Sequence, residues 1–158
     1  MVLKGRGADK PGSPERRVLF VCTGNYYRSR FAEELFNALA ARSGLDWRAD
    51  SRGLVTELGV GNLGPLSPQV ATELANLGVR VDNRRGPMQL REGDLARADL
   101  VIALNEVEHR PLLHDRFPSW EERVEYWHIP DLDIALASDT LPLLERQVHA
   151  LVRRLGSA

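Results

Sequence analysis

The sequence predicts a single α/β domain of three layers, with helices on both faces of a small, four-stranded parallel sheet and a phosphate-binding loop after the first strand. Three observations carry this. Short apolar segments alternate with stretches of helical periodicity. The first apolar segment, Val18 to Val21, runs through a polar loop into a helix start, and the last, Val124 to Ile129, runs into a second polar loop, Pro130 to Asp139. Strands separated by helices pair in parallel with right-handed crossovers, and such sheets bind ligands at the carboxyl ends of their strands. Both loops are therefore expected on one edge.

Taken in order, residues 1–15 are rich in Gly, Pro, Lys and Ser without apolar periodicity and read as a flexible leader, leaving residues 16–158 as the domain. After the first strand and its loop, a helix starts near Ser29. Phe31, Leu35, Phe36 and Leu39 form its apolar stripe, and Gly44 is placed to end it. A strand near Trp47 to Ser51 and a Gly-rich connection from Gly53 to Pro65 follow. Ser67 and Pro68 suit the N-cap and first residue of a second helix, which runs to Leu77 and stops at Gly78. A solvated link carrying Arg84 and Arg85, a short helix around Gly93 to Arg97, and the apolar run Leu100 to Leu104 come next, the run suiting a strand buried on both faces. A helical stretch from Glu106 to Arg116 is expected to break at Pro111. The final helix follows the last loop, with Leu143, Leu144, Val148, Leu151, Val152 and Leu155 on its apolar side.

Composition narrows the function. The 158 residues hold 21 basic and 22 acidic side chains, a formal net charge of −1, so no global field draws the chain to nucleic acid or to a membrane. No apolar run approaches the roughly 20 residues of a membrane span, and residues 1–16 lack the apolar core of a signal peptide. One cysteine excludes an internal disulfide and fits a reducing compartment, so a cytoplasmic location is expected. The four histidines have no paired ligand spacing, so neither a metal nor another cofactor is expected.

That one cysteine, Cys22, opens the first loop, and Arg28 and Ser29 close it, spelling Cys-x5-Arg-Ser. A chain wrapping through Thr23, Gly24, Asn25, Tyr26 and Tyr27 can turn backbone N–H groups inward as an anion nest. Gly24 and Asn25 tolerate the positive φ that this needs. The following helix adds its unpaired N–H groups and the positive end of its dipole. Arg28 can grip two phosphate oxygens at once. Residues 23–29 are thus the expected phosphate cradle, with Cys22 as a nucleophile at its base.

The motif CTGNYYRS, with VLFV before it and FAEELF after it, resembles the low-molecular-weight protein tyrosine phosphatases and the arsenate reductases built on the same fold. The resemblance implies a cysteine-dependent phosphomonoester hydrolase acting on a phosphotyrosine-containing protein or a small aryl phosphate through a phosphocysteine. Within WHIPDLD, Asp131 matches the family's general acid. Leu132 stands where the family usually has proline and Asp133 where it has an aromatic residue, so Asp133 remains an alternative donor and Tyr26 a candidate aromatic wall. Ser51 of SRG matches a family position near the loop, whereas no counterpart of the histidine that supports the loop asparagine is legible. Tyr27 stands where many relatives carry a second cysteine. Two alternatives accompany this reading: an arsenate reductase resolved by an external thiol, and a phosphate-binding module without turnover.

Overall fold

The computed structural model describes residues 15–59, 61–62, 64–81, 85–131 and 137–157. Four strands, β1 (Arg16–Cys22), β2 (Trp47–Gly53), β3 (Leu100–Ala103) and β4 (Glu125–Tyr126), form one parallel sheet in the order β2-β1-β3-β4. Among the described residues five α-helices accompany it: α1 (Arg28–Ser43), α2 (Pro68–Asn76), α3 (Glu92–Arg97), α4 (Glu106–Arg116) and α5 (Ala137–Gly156). Two single turns of 3-10 helix, Thr56–Gly59 and Pro118–Trp120, were not foreseen from the pattern.

β1 is central and buried on both faces, so its successive side chains feed two cores. Val18, Phe20 and Cys22 join Phe31, Phe36, Leu144 and Val148 beneath α1 and α5. Leu19 and Val21 join Leu95, Leu113 and Trp120 beneath α3 and α4. Phe20 meets the rings of Phe36 at 6.1 Å and Trp127 at 5.9 Å. Each such ring pair adds about 0.5–1.5 kcal/mol to its area burial. Truncating Phe20 to alanine should therefore cost about 3–5 kcal/mol.

Helix ends follow the sequence signals. Gly44 and Gly78 adopt φ 67° and 74° after α1 and α2, where a side chain would be strained. Ser67 precedes Pro68 as expected, but its hydroxyl bonds Gln69 Oε1 at 2.9 Å and does not cap the backbone. Two expectations are corrected. α4 runs unbroken through Pro111, an exposed residue at which a single helical hydrogen bond is forgone. The last strand pairs only at Glu125 and Tyr126, because β3 ends at Ala103 and the chain beyond bridges Asn105 to His128 in the antiparallel sense.

From β1 the chain passes first to β2 on one side and later to β3 on the other. The crevice above the carboxyl ends of β1 and β3 is therefore a switch point, where the loop after Cys22 faces the start of α4.

Candidate active site

The loop between β1 and α1 is tied down by its own carbonyls. Leu54, Val55 and Ser67 donate backbone N–H groups to the carbonyls of Cys22 (2.8 Å), Thr23 (2.9 Å) and Tyr26 (2.9 Å). Asn25 takes φ 54°, the left-handed conformation that its residue type tolerates. These bonds fix the curvature of the turn around Cys22.

Side chains then lock it from below. Asn25 Oδ1 accepts from Arg85 Nη1 and from the Met88 N–H, both at 2.9 Å, which orients the amide. Its Nδ2 must therefore donate, to Ser29 Oγ at 2.8 Å and to Ser51 Oγ at 2.9 Å. Ser29 Oγ, having accepted, is free to give its proton to Cys22 Sγ at 2.9 Å. Ser51 passes its proton to Glu33 Oε1 at 2.6 Å. Burial raises the Glu33 carboxyl above its ordinary range against the opposing pull of Arg85 and Ser51. Arg85 also bonds the Ser51 carbonyl and pairs with Asp50 at 3.3 Å. The expectation of a solvated Arg85 is thus corrected. It fills the supporting role for which no histidine was legible, because its long side chain returns to the loop asparagine from 60 residues away.

On the other side of the loop stands Arg28, fully buried at the start of α1. Its Nη1 donates to Glu108 Oε1 and to the Ile129 carbonyl, both at 2.9 Å, and its Nη2 to Glu108 Oε2 at 2.8 Å. Arg28 Nε finds no acceptor among the described residues. Asp131 brings a carboxylate oxygen to 3.6 Å from Nη2. Burial works to lower the Arg28 pKa, but the bond to Glu108 and the Cys22 and Asp131 charges outweigh it and raise it. Burial likewise works to raise that of Glu108, yet hydrogen bonds from His109, Arg28 and Thr23 hold its carboxyl far below the carboxylate range.

Cys22, Thr23, Gly24, Tyr26, Tyr27, Arg28 and Asp131 all line one cleft, shared with Glu108 and Asn105 of the opposite wall. Asn25 and Ser29 lie buried behind it. Tyr26 faces the cleft from the loop. Tyr27 turns into the core, where burial first and the Asp131 charge second push its hydroxyl up to about 12. Exposed Leu58 and Val107 rim the opening. Leu132 and Asp133 lie outside the described residues, as do Arg84 and the leader up to residue 14. Sequence reasoning missed Glu108, His109, Glu33 and Arg85. Only the β1–β3 adjacency brings Glu108 and His109 to the loop, and nothing local in NEVEHRP announces it.

Residues 17–158 match the family described as low molecular weight phosphotyrosine protein phosphatase. A protein-arginine-phosphatase of Bacillus subtilis is 30% identical over 107 residues, 68% of this chain and 67% of that protein. The low molecular weight protein-tyrosine-phosphatase YfkJ of the same organism is 38% identical over 92 residues, 56% of this chain and 55% of that protein. The crystal structure of YfkJ superimposes with a TM-score of 0.74, covering 94% of this chain and 98% of that one at 26% identity. The low molecular weight protein tyrosine phosphatase from T. tengcongensis does so at 0.71, covering 90% and 98% at 28% identity. No helix among the described residues is long and apolar enough to cross a membrane. With a family match that runs from β1 through α5, and with a cysteine loop of this geometry at the expected edge of the sheet, the chain belongs to the low molecular weight phosphotyrosine protein phosphatase family.

Proposed function

We propose that the protein hydrolyses phosphotyrosine in protein substrates, with Cys22 as nucleophile, Arg28 and the loop from Thr23 to Ser29 as the phosphoryl cradle, and Asp131 as proton donor. The observation that carries this reading is the convergence, at one loop, of a thiol hydrogen-bonded by Ser29 and a buried guanidinium whose Nε has no acceptor among the described residues, with a carboxylate 3.6 Å from that guanidinium. Cys22 Sγ attacks phosphorus in line and the P–O bond to the tyrosine breaks. Asp131 gives its proton to the departing oxygen, and the loop N–H groups and Arg28 hold the equatorial oxygens. Asp131, now ionised, takes a proton from water as that water attacks the phosphocysteine, and the P–S bond breaks. Ser29, donating to Cys22 Sγ, stabilises the thiolate that leaves.

A cysteine that works as a thiolate needs a reducing compartment, which supports a cytoplasmic location. The arsenate reaction would need a thiol from outside, since the chain holds no second cysteine. One observation favours a second reading: the relative at 30% identity is a protein-arginine-phosphatase, and in phosphoarginine the bond that breaks is P–N. The test is turnover of matched phosphotyrosine and phosphoarginine peptides, with Cys22→Ser as control. Faster release from phosphotyrosine, and no turnover by a Cys22→Ser protein that still binds phosphate, is expected. Preference for phosphoarginine would move the substrate to the second reading. Hydrolysis by Cys22→Ser would remove the nucleophile.

A further inference from the structure

Arg28 has five N–H donors, and the structure accounts for three of them. Both protons of Nη1 are used, one on Glu108 Oε1 and one on the Ile129 carbonyl, and one proton of Nη2 is used on Glu108 Oε2. The two left are Nε–H and the second proton of Nη2; the Asp131 carboxylate stands 3.6 Å from Nη2, an ion-pair distance too long for a hydrogen bond. They lie side by side on one edge of the guanidinium, the edge opposite Ile129. Glu108 therefore takes the end of the fork and leaves its side.

What aims Glu108 can be traced proton by proton. The Asn105 backbone N–H donates to His109 Nδ1 at 3.0 Å, so Nδ1 is an acceptor and the ring proton sits on Nε2. Nε2 lies 3.1 Å from Thr23 Oγ1 and 3.3 Å from Glu108 Oε2, so its proton is shared between them, while Thr23 turns its own proton to Glu108 Oε2. The chain of donors runs one way. It starts on the backbone at the mouth of α4, passes through the residue after the nucleophile, and ends on the guanidinium. His109 is fully buried, and Burial works to lower its pKa, which keeps the ring neutral and the direction of the chain fixed.

We propose that Glu108, aimed by His109 and by the Thr23 hydroxyl, is the positioning residue of Arg28, clamping the end of its guanidinium so that Nε and the remaining Nη2 proton form a ready two-pronged grip for the phosphoryl group. The proposal rests on the reading of Arg28 as a phosphoryl-binding residue. Glu108 touches no substrate in this scheme. Its effect is to remove the rotation of Arg28 that would otherwise have to be frozen as charge spreads over the equatorial oxygens.

The test is Glu108→Gln, which keeps the shape but replaces a charged acceptor pair by one neutral acceptor and one donor. For p-nitrophenyl phosphate we expect kcat to fall roughly 10- to 100-fold, the size expected for losing a charge-assisted pair. KM and inhibition by inorganic phosphate should change by less than about 3-fold, while vanadate, which takes on the five-coordinate geometry of the transition state, should lose affinity in step with kcat. Thr23→Val should give a smaller loss of the same pattern, Thr23→Ser should recover most of it, and the Glu108→Gln/Thr23→Val double variant should be little worse than Glu108→Gln alone. Unchanged or increased kcat in Glu108→Gln would overturn the proposal, the increase meaning that Glu108 competes with substrate for Arg28. Equal losses in phosphate and vanadate binding, or fully additive losses in the double variant, would also overturn it. Should Glu108→Gln fail to fold by thermal melt, the Thr23→Val and Thr23→Ser pair decides by the same vanadate-to-phosphate ratio. The wild-type rate on p-nitrophenyl phosphate is read first and answers the phosphatase reading separately. If wild type were inactive, vanadate and phosphate binding by calorimetry to the same variants would still decide the clamp.

Discussion

Gly53 ends β2 directly beneath the loop that follows Cys22, and the space there is too small for a methyl group. A Cβ at this position would stand 2.7 Å from Thr56 Cγ2, 2.9 Å from the Thr23 carbonyl oxygen and 3.0 Å from the Asn25 nitrogen. The threonine methyl can rotate away. The other two are backbone atoms of the loop; the Thr23 carbonyl accepts from the Val55 N–H, and Asn25 is anchored through its side-chain oxygen, which accepts from the Met88 N–H. Restoring ordinary contact requires that they retreat by roughly half an ångström or more. We therefore expect Gly53→Ala to cost about 1–3 kcal/mol as an overpacking change. That is a fall in Tm of about 2–12 °C for a domain of this size. A 1 Å misplacement of reacting groups costs on the order of 100-fold, so kcat should drop about 10-fold, with folded protein at assay temperature. Scanning calorimetry and steady-state hydrolysis of p-nitrophenyl phosphate measure both, and Gly61→Ala, where the methyl meets open space, is the control. A Gly53→Ala protein with wild-type Tm and kcat would refute the claim that this contact shapes the loop.

Asp131→Asn should slow aryl phosphates with poor leaving groups far more than those with good ones, because only the former need a proton in the transition state; a larger, equally selective effect of Asp133→Asn would transfer the role. Burial holds folded His109 below its ordinary value, so the unfolded chain binds this proton more tightly and stability falls as pH drops below about 6.5, by up to about 1.4 kcal/mol per pH unit. The groups facing His109 are Glu108, Arg28 and Asp131, and urea titrations of wild type and His109→Gln across that range should show the slope flattened in the variant. Prolonged peroxide should carry Cys22 past the sulfenic acid, since no second cysteine can capture it, giving inactivation that dithiothreitol does not reverse and that bound phosphate slows. Nearly complete recovery would argue for a sulfenamide formed within the loop.

Most of the fold was legible because its signals are local. The order of strands and helices follows from apolar periodicity and from the glycines after α1 and α2, and Cys22, Arg28 and the loop between them span seven consecutive residues. What stayed hidden depends on contacts between distant segments. Arg85 reads as solvated until the sheet brings it to Asn25, and Glu108 reads as one exposed carboxylate among several until β3 lies beside β1. The short last strand was overestimated for a related reason, since its length is set by where β3 ends and its own composition does not show this. Pro111 removes one donor from the helix ladder, which reads as a break, yet the other bonds of α4 carry the helix through it.

The two walls of the cleft draw their stability from different sources. Cys22 hangs from β1, which is paired on both sides and buried on both faces, so its amides should exchange with solvent only on global unfolding. Glu108 hangs from α4, a helix that buries only His109 and Leu113 of its eleven residues. Opening α4 costs much less than opening the sheet, and it would withdraw the carboxylate from Arg28 while leaving the thiol and its loop intact. The wall proposed to react and the wall proposed to aim are thus separable by local fluctuation, and sequence change along α4 can retune the rate without touching the scaffold of Cys22.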